Sequence, residues 1–261
     1  MTVSDMRLVP LHSLLKGGRW RVEAMRSYTV DQLIWFTRGQ GRLTVSGVTR
    51  GYGAHNVLFV PAGTMHAFEI GQQVFGTAVF FGRDHDLLLP EQPCHLRIRD
   101  ANAQGEMTVI LDNLQRESEG DRPARHRAMQ HHAGLLSVWL ERQLLSQVDS
   151  LAPASAAPRL ARRYAELVEQ RFHTSDSVAH YAASLGVTPT HLTRVCRESC
   201  GRTASDFLAD RKIAEARRLL ADTRLPVKQI AAGLGFASPA YFTRSFQART
   251  GATPMTFRRG S

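Results

Sequence analysis

The chain has 261 residues, a length that suits two domains with a hydrophobic core each. Apolar residues make up 43% of it, which excludes wholesale disorder. It contains no apolar run of transmembrane length and no signal-peptide pattern at its start, so we expect no membrane contact. Three cysteines without motif spacing fit the reduced cytoplasm.

The formal net charge of +10 is concentrated in one half of the chain. Residues 1–156 carry a net charge of +1, whereas residues 157–261 carry +9. A basic half beside a neutral half argues for a polyanionic partner, such as a nucleic acid.

Residues 6–90 have the rhythm of short strands separated by glycine turns. Gln32 to Thr37 is a strand-like run that ends at Gly39-Gln40-Gly41, and Asn56 to Val60 is another that stops at Pro61. Further short strands follow near Phe68 to Ile70 and Val74 to Phe81. This pattern predicts a small β-barrel or jelly roll.

The segment from Gly53 to His66 ends in Pro-x-Gly-x-x-His and resembles the second half of a cupin motif. Metal-binding cupins supply His-x-His and a glutamate from their first motif, but the matching region, Tyr28 to Gln32, contains no histidine. His66, even with Asp31, falls short of the three ligands that a transition metal normally needs. We therefore expect no metal, no cofactor and no catalytic residue. A metal-dependent cupin enzyme with an accessory DNA-binding module stays the alternative.

Residues 101–150 predict two helices. One spans 103–118, with apolar residues at helical spacing, and a stronger one spans 122–148, with a wide apolar stripe around Leu135, Trp139 and Leu144. The stripe suits either a dimer contact or a cap on the barrel. Residues 151–158 are uncharged and rich in alanine and proline, which indicates an interdomain linker.

The C-terminal segment from Val227 to Arg259 has the pattern of a helix-turn-helix. An apolar stripe at i, i+3, i+4 and i+7 ends at Gly235, where glycine tolerates left-handed backbone angles. Ser238-Pro239 then provides an N-cap and a first-turn proline for a second helix. Such a second helix can enter the major groove of DNA.

The same pattern occurs earlier, from Val178 to Phe207. Before the turn the second copy follows at an offset of 49 residues, so Gly186 corresponds to Gly235; after the turn the offset is 50, so Arg194 corresponds to Arg244. Asp206 to Leu220 supplies a long helix between the copies. A rigid connector of this kind can hold two recognition helices about 34 Å apart on one duplex.

At this point the chain resembles the AraC/XylS transcription regulators. The residues that carry the likeness lie in the second copy: Ile230-Ala231, Gly235-Phe236, Tyr241-Phe242, Arg244, Phe246, Gly251, Thr253-Pro254 and Phe257-Arg258. The resulting expectation is an α+β multidomain protein with four parts. These are a cupin-like barrel (1–100), two helices (101–150), a linker (151–158) and an all-α DNA-binding domain with two helix-turn-helix units (159–261).

Helical spacing assigns the residues that face DNA. Arginine can bridge guanine with two hydrogen bonds, and threonine can bond a base edge or pack against thymine. The predicted reading residues are Thr190, Thr193, Arg194 and Arg197 on the first recognition helix and Ser238, Ala240, Thr243, Arg244 and Gln247 on the second. Predicted phosphate contacts are Arg202, Arg211, Lys212 and Arg258.

The resemblance further implies that the barrel senses a small-molecule effector and that the helices of 101–150 form a homodimer. Trp35, His66 and Phe68 are the candidate effector contacts, although Trp35 and Phe68 also suit a plain core. Double-stranded DNA is the expected partner, with RNA polymerase as a further one if the protein is an activator. A non-specific DNA-coating protein is a third hypothesis.

Overall fold

The computed structural model describes residues 6–16, 18–83, 85–146 and 156–260. Its N-terminal part contains eight antiparallel strands in the described residues: β1 Arg7–Pro10, β2 Gln32–Arg38, β3 Gly41–Val45, β4 Val48–Tyr52, β5 Asn56–Val60, β6 His66–Phe68, β7 Phe75–Phe80 and β8 Cys94–Arg97. A 3-10 turn, Leu11–Leu15, and the short helix α1, Trp20–Glu23, lie between β1 and β2.

The strands form two sheets that face each other. The larger sheet has the order β1-β7-β2-β5-β8, and the smaller has the order β4-β3-β6. Successive side chains of a strand point to opposite faces, so Ile34 and Phe36 of β2 lie between the sheets. Leu33 and Trp35 point to the outer face. Burial on both faces explains why the β2 sequence is apolar without alternation.

Two long helices cover that outer face. Helix α2 spans Ala101–Glu119, helix α3 spans Arg125–Ser146, and the two pack along each other. The indole of Trp139 in α3 donates a hydrogen bond to the Ala103 carbonyl in α2 at 3.0 Å. Both predicted helices are present in the described residues, although the second begins at Arg125 and residues 147–148 of its predicted range lie outside those residues. They cap the larger sheet within the same chain.

The C-terminal part is entirely helical in the residues described. Its helices are α4 Ala156–Arg171, α5 Val178–Ser184, α6 Pro189–Cys200, α7 Ala204–Asp222, α8 Val227–Gly233, α9 Pro239–Thr250 and α10 Pro254–Arg259. Residues 151–155 of the predicted linker lie outside the described residues, and residues 156–158 form the first turn of α4. A proline in a first turn forfeits no helical hydrogen bond, so Pro158 does not delay the helix as its sequence suggests.

The two parts of the chain share contacts that the sequence did not reveal. One hydrophobic cluster joins Met25, Met65 and Ala67 of the barrel to Tyr164 and Phe207 of the helical domain. Strand β4 lies against α4 and α6. At a second point, the Trp20 ring packs edge-on against Phe257 of α10, with ring centres 5.6 Å apart.

Ionic contacts reinforce this domain contact. Arg211 of α7 donates to Glu169 of α4 at 2.7 and 3.0 Å and to the Ser27 hydroxyl at 3.3 Å. Ser27 in turn donates to Glu169. The barrel is therefore bound to both the first helix and the connector helix of the helical domain.

Candidate nucleic-acid interface

Both recognition helices, α6 and α9, begin and end with the same local signals. Thr188 and Ser238 are the N-caps, and their hydroxyls accept hydrogen bonds from the backbone amides of His191 and Tyr241, both at 3.2 Å. A proline follows each cap, and a left-handed glycine ends each helix. These features fix the length of both helices at 12 residues.

The turns before these helices are also alike. Gly186 and Gly235 adopt φ values of 71° and 66°, which favour glycine because other residues are strained there. The predicted correspondence between the two copies is therefore confirmed in the backbone. Ser177 is the N-cap of α5, but its hydroxyl contacts the His180 ring at 3.1 Å instead of a backbone amide.

Each recognition helix buries one side and exposes the other. Leu192, Val195 and Cys196 form the buried side of α6, and Phe242 and Phe246 form the buried side of α9. None of the predicted reading residues is buried. The two predicted DNA faces are therefore free of the protein core.

The exposed arginines have different surroundings in the two helices. Arg194 donates to Glu198 at 2.9 Å and to the Nδ1 atom of His191 at 3.0 Å. Among the described residues, Arg244 has no hydrogen-bond or ion-pair partner.

The structure corrects two of the predicted phosphate contacts. The side chains of Arg211 and Lys212 are buried, because Arg211 holds Glu169 and Lys212 donates to the Thr174 carbonyl at 2.8 Å. Both residues stabilise the domain interior and are not accessible to a phosphate. Arg202 is exposed and paired with Asp210, and Arg258 donates to the carbonyls of Leu220 and Leu225. Phosphate contacts by these last two stay predictions.

The three candidate effector contacts do not form one site. His66 and Phe68 both point between the sheets, with ring centres 6.4 Å apart. Trp35 belongs to the cluster under α2 and α3. The period-2 alternation of β2 places Trp35 on the helix side, so it cannot share a cavity between the sheets with the other two.

The polar contacts of Asp31 and His66 involve different residues. Asp31 accepts a hydrogen bond from the Ala62 amide at 2.7 Å and contacts His85 at 3.2 Å. In the part of the chain that the structure describes, no three His, Cys, Asp or Glu side chains are grouped as a metal site. No helix in those same ranges combines the length and apolar character needed to cross a bilayer.

Comparison with known proteins identifies the helical domain. Residues 181–260 match the family described as a helix-turn-helix domain. The Escherichia coli arabinose operon regulatory protein is 30% identical over 133 residues, which cover 49% of this chain and 46% of that protein. Over about half of its length the chain is therefore similar to a known transcription regulator. It is also 24% identical over 218 residues to the uncharacterised regulator YijO of E. coli, covering 78% of this chain and 73% of YijO.

A solved structure of apo ToxT K231A from Vibrio cholerae aligns with 97% of this chain and 96% of its own, at a TM-score of 0.45 and 14% identity. The chain spans less than half the length of the arabinose regulators that it matches. The relatives are transcription regulators, and no comparison favours the metal-dependent enzyme alternative.

Proposed function

We propose that this protein is a sequence-specific transcription regulator of the AraC type that acts in the cytoplasm and responds to a small molecule. The observation that carries the proposal is the pair of exposed, matched recognition helices in the domain with a net charge of +9. Arg194 and Arg244 occupy equivalent exposed positions, as expected for side chains that read bases.

Footprinting on the DNA upstream of its own gene tests this function. We expect a protected site covering two adjacent major grooves, and Arg244→Ala should weaken that binding and relax the preference at one base pair. A DNA-coating protein would instead show no preferred site and a steep loss of binding with salt.

The proposal includes a homodimer formed through α3. Leu135, Val138 and Leu145 are exposed and lie along one side of that helix, and Val109 of α2 is exposed as well. Large apolar side chains grouped on one exposed face favour association. RNA polymerase is the further proposed partner if the protein activates transcription.

Sedimentation of the wild type and of Leu135→Glu tests the dimer. We expect the substitution to shift the protein to monomers, while an exposed residue away from that side of α3, such as His126→Glu, should not. A monomeric wild type would refute this part of the proposal.

The proposed effector site is a polar cluster at one end of the space between the sheets. A β-bridge pairs Arg26 with His66, so their side chains share a face. The Arg26 guanidinium lies 5.3 Å from the ring centre of Tyr28 and 5.2 Å from that of Phe68. Gln32 is fully buried on the same inner face, opposite Phe80, which itself packs against Tyr28.

Several polar atoms of this cluster lack partners among the described residues: both amide atoms of Gln32, Nε2 of His66 and Nη2 of Arg26. Burial lowers the pKa of His66 to about 3, so its ring is neutral and Nε2 is an acceptor when Nδ1 donates to the Thr64 carbonyl. Unpartnered buried polar groups cost free energy, which a polar molecule with both donor and acceptor groups would recover.

A cleft of about 350 Å³ lies beside the cluster. It is lined by Arg26, Tyr28 and Phe80 of the barrel and by Arg211, Glu215 and Arg218 of α7, among others. A molecule bound there would contact both domains, which provides a route from the barrel to the DNA-binding helices.

A thermal-shift screen with sugars, amino acids and short organic acids tests the effector site. A compound that stabilises the wild type should lose its effect with Gln32→Leu and keep it with Trp35→Phe, which lies on the opposite face of the sheet. The reverse result would place the effector under the helices instead.

A further inference from the structure

The exposed edge of α6 carries three connected side chains: His191, Arg194 and Glu198. One terminal nitrogen of the Arg194 guanidinium donates to the Glu198 carboxylate at 2.9 Å, and the other donates to Nδ1 of His191 at 3.0 Å. Residues three and four positions apart are neighbours on a helix surface. The guanidinium is therefore held at both of its terminal nitrogens, next to Thr190 and Arg197 on the predicted DNA face.

The second recognition helix has no such arrangement. At the offset of 50 residues, Tyr241 stands in place of His191 and Ala248 in place of Glu198. Helix α9, from Pro239 to Thr250, contains no acidic residue at all. Arg244 therefore has neither of the partners that hold Arg194.

We propose that Glu198, together with His191, is a positioning residue that orients Arg194 for reading a base, whereas Arg244 reads its base without such a support. This inference rests on the proposed base-reading role of Arg194. A guanidinium has five N–H donors, so the two contacts leave three, and a bidentate contact with guanine needs two. A side chain already held in place loses less rotamer freedom on binding than a mobile one.

Stability of the fold does not account for the Arg194–Glu198 pair. The two side chains are 61% and 49% exposed, and exposed pairs of this kind contribute little to folding. A carboxylate on a DNA-facing helix also repels phosphates. The ion pair with Arg194, four residues earlier on the same helix, offsets that repulsion.

The test measures base preference for the full-length protein, with every base pair of the footprinted site substituted in turn. Arg194→Ala identifies the base pair that Arg194 reads. Glu198→Ala should reduce the preference at that same base pair about five- to tenfold and leave the thermal midpoint unchanged, while Glu198→Gln, which keeps an acceptor oxygen, should retain most of the preference. Both substitutions of Glu198 should also strengthen binding to DNA of unrelated sequence, because each removes a negative charge.

The second recognition helix provides the matched control. Ala248→Glu places a carboxylate four residues after Arg244, so it should sharpen the preference at the base pair that Arg244 reads. In the first helix, Glu198→Ala should leave that base pair unaffected.

Three results would overturn the inference. An unchanged preference in Glu198→Ala would show that Arg194 needs no support, and a change at a different base pair would show that Glu198 reads a base itself. No effect of Arg194→Ala would mean that there is no reading arginine to position. In each case the wild-type footprint would persist, whereas failure of the proposed function would leave no footprint at all.

Discussion

The two helix-turn-helix units share their backbone signals but differ in the side chains beneath them. In the first unit Cys196 closes the core under the recognition helix, and in the second the equivalent position is Phe246. Phe246 lies 5.7 Å from the Phe242 ring centre and 5.5 Å from that of Phe257. The first unit instead shares its cluster with barrel residues Met25 and Met65.

This difference indicates how each unit is stabilised. The first unit shares a buried cluster with the barrel, whereas the second meets the N-terminal part through an edge-on contact between Phe257 and Trp20. Release of the barrel should therefore loosen the first unit more than the second, because hydrophobic stabilisation scales with the area removed from water.

Truncation of the equivalent core residues gives the largest expected difference. Phe246→Ala should lower the free energy of unfolding by about 3–5 kcal/mol, because it leaves a cavity in an aromatic core. Cys196→Ala removes one sulfur and should cost about 1 kcal/mol. Amide hydrogen exchange in residues 227–259 and 178–207 measures each unit separately. Equal losses in both variants would show that the two cores are equivalent after all.

The turn glycines give the second comparison. A Cβ at Gly235 would lie 2.1 Å from the Thr174 carbonyl oxygen, whereas one at Gly186 would meet nothing within 4 Å. Gly186→Ala should cost about 1–2 kcal/mol through left-handed strain alone. Gly235→Ala should cost about 1–3 kcal/mol more, because backbone atoms must also move. Chemical unfolding of both variants provides the measurement, and similar midpoints would contradict the clash.

The contact behind that second glycine could not be predicted from sequence. The repeat itself, the caps and the turn glycines are local signals, and the structure confirms them at Gly186, Gly235, Thr188 and Ser238. The approach of Thr174 to Gly235 joins segments far apart in the chain, and no local pattern encodes it.

The same reason explains the two wrong phosphate assignments and the separation of Trp35 from His66 and Phe68. Arg211 and Lys212 look like surface cations on a basic helix, but burial depends on Glu169 and Thr174 of distant segments. Strand membership alone makes Trp35 a candidate effector contact. The strand pattern of β2 does not show which of its faces meets the smaller sheet and which meets helix α3.

An ionic contact between the units gives the third comparison. Arg249 of α9 pairs with Asp206 at 2.9 Å and with Asp210 at 2.6 Å, and the equivalent residue of the first unit is Ser199. Arg249→Ser should cost about 1 kcal/mol, because the pairs are only partly exposed and form a network with Arg202. Arg244→Ala is the control on the same helix and should leave stability within about 0.5 kcal/mol. Equal losses of stability in Arg249→Ser and Arg244→Ala would show that the ion-pair network contributes nothing.

The smallest expected effect concerns the caps that follow each recognition helix. The Thr203 hydroxyl donates to the Asp206 carboxylate at 2.6 Å. In the second unit the equivalent contact joins the hydroxyls of Thr253 and Thr256, which lie 2.9 Å apart. The Thr203 hydroxyl, and then Arg249, hold the pKa of the Asp206 carboxyl below its usual value. The charged form is thus favoured in the folded state, so its contribution is complete above the ordinary carboxyl pKa of about 3.9 and is lost as the pH falls below it.

The free energy of unfolding should therefore be lower at pH 3.5 than at pH 6, and Asp206→Asn should reduce that difference. The reduction should be less than about 1 kcal/mol, because the carboxylate is half exposed. Thr256→Asp transfers an acid to the equivalent cap of the second unit and should add a similar dependence there. Hydrogen exchange of the first turn of α7 and of α10 separates the two caps. If Asp206→Asn left the exchange in α7 equally sensitive to acid, the Asp206 carboxylate would not be the source of the sensitivity, and this cap would contribute nothing to the pH dependence.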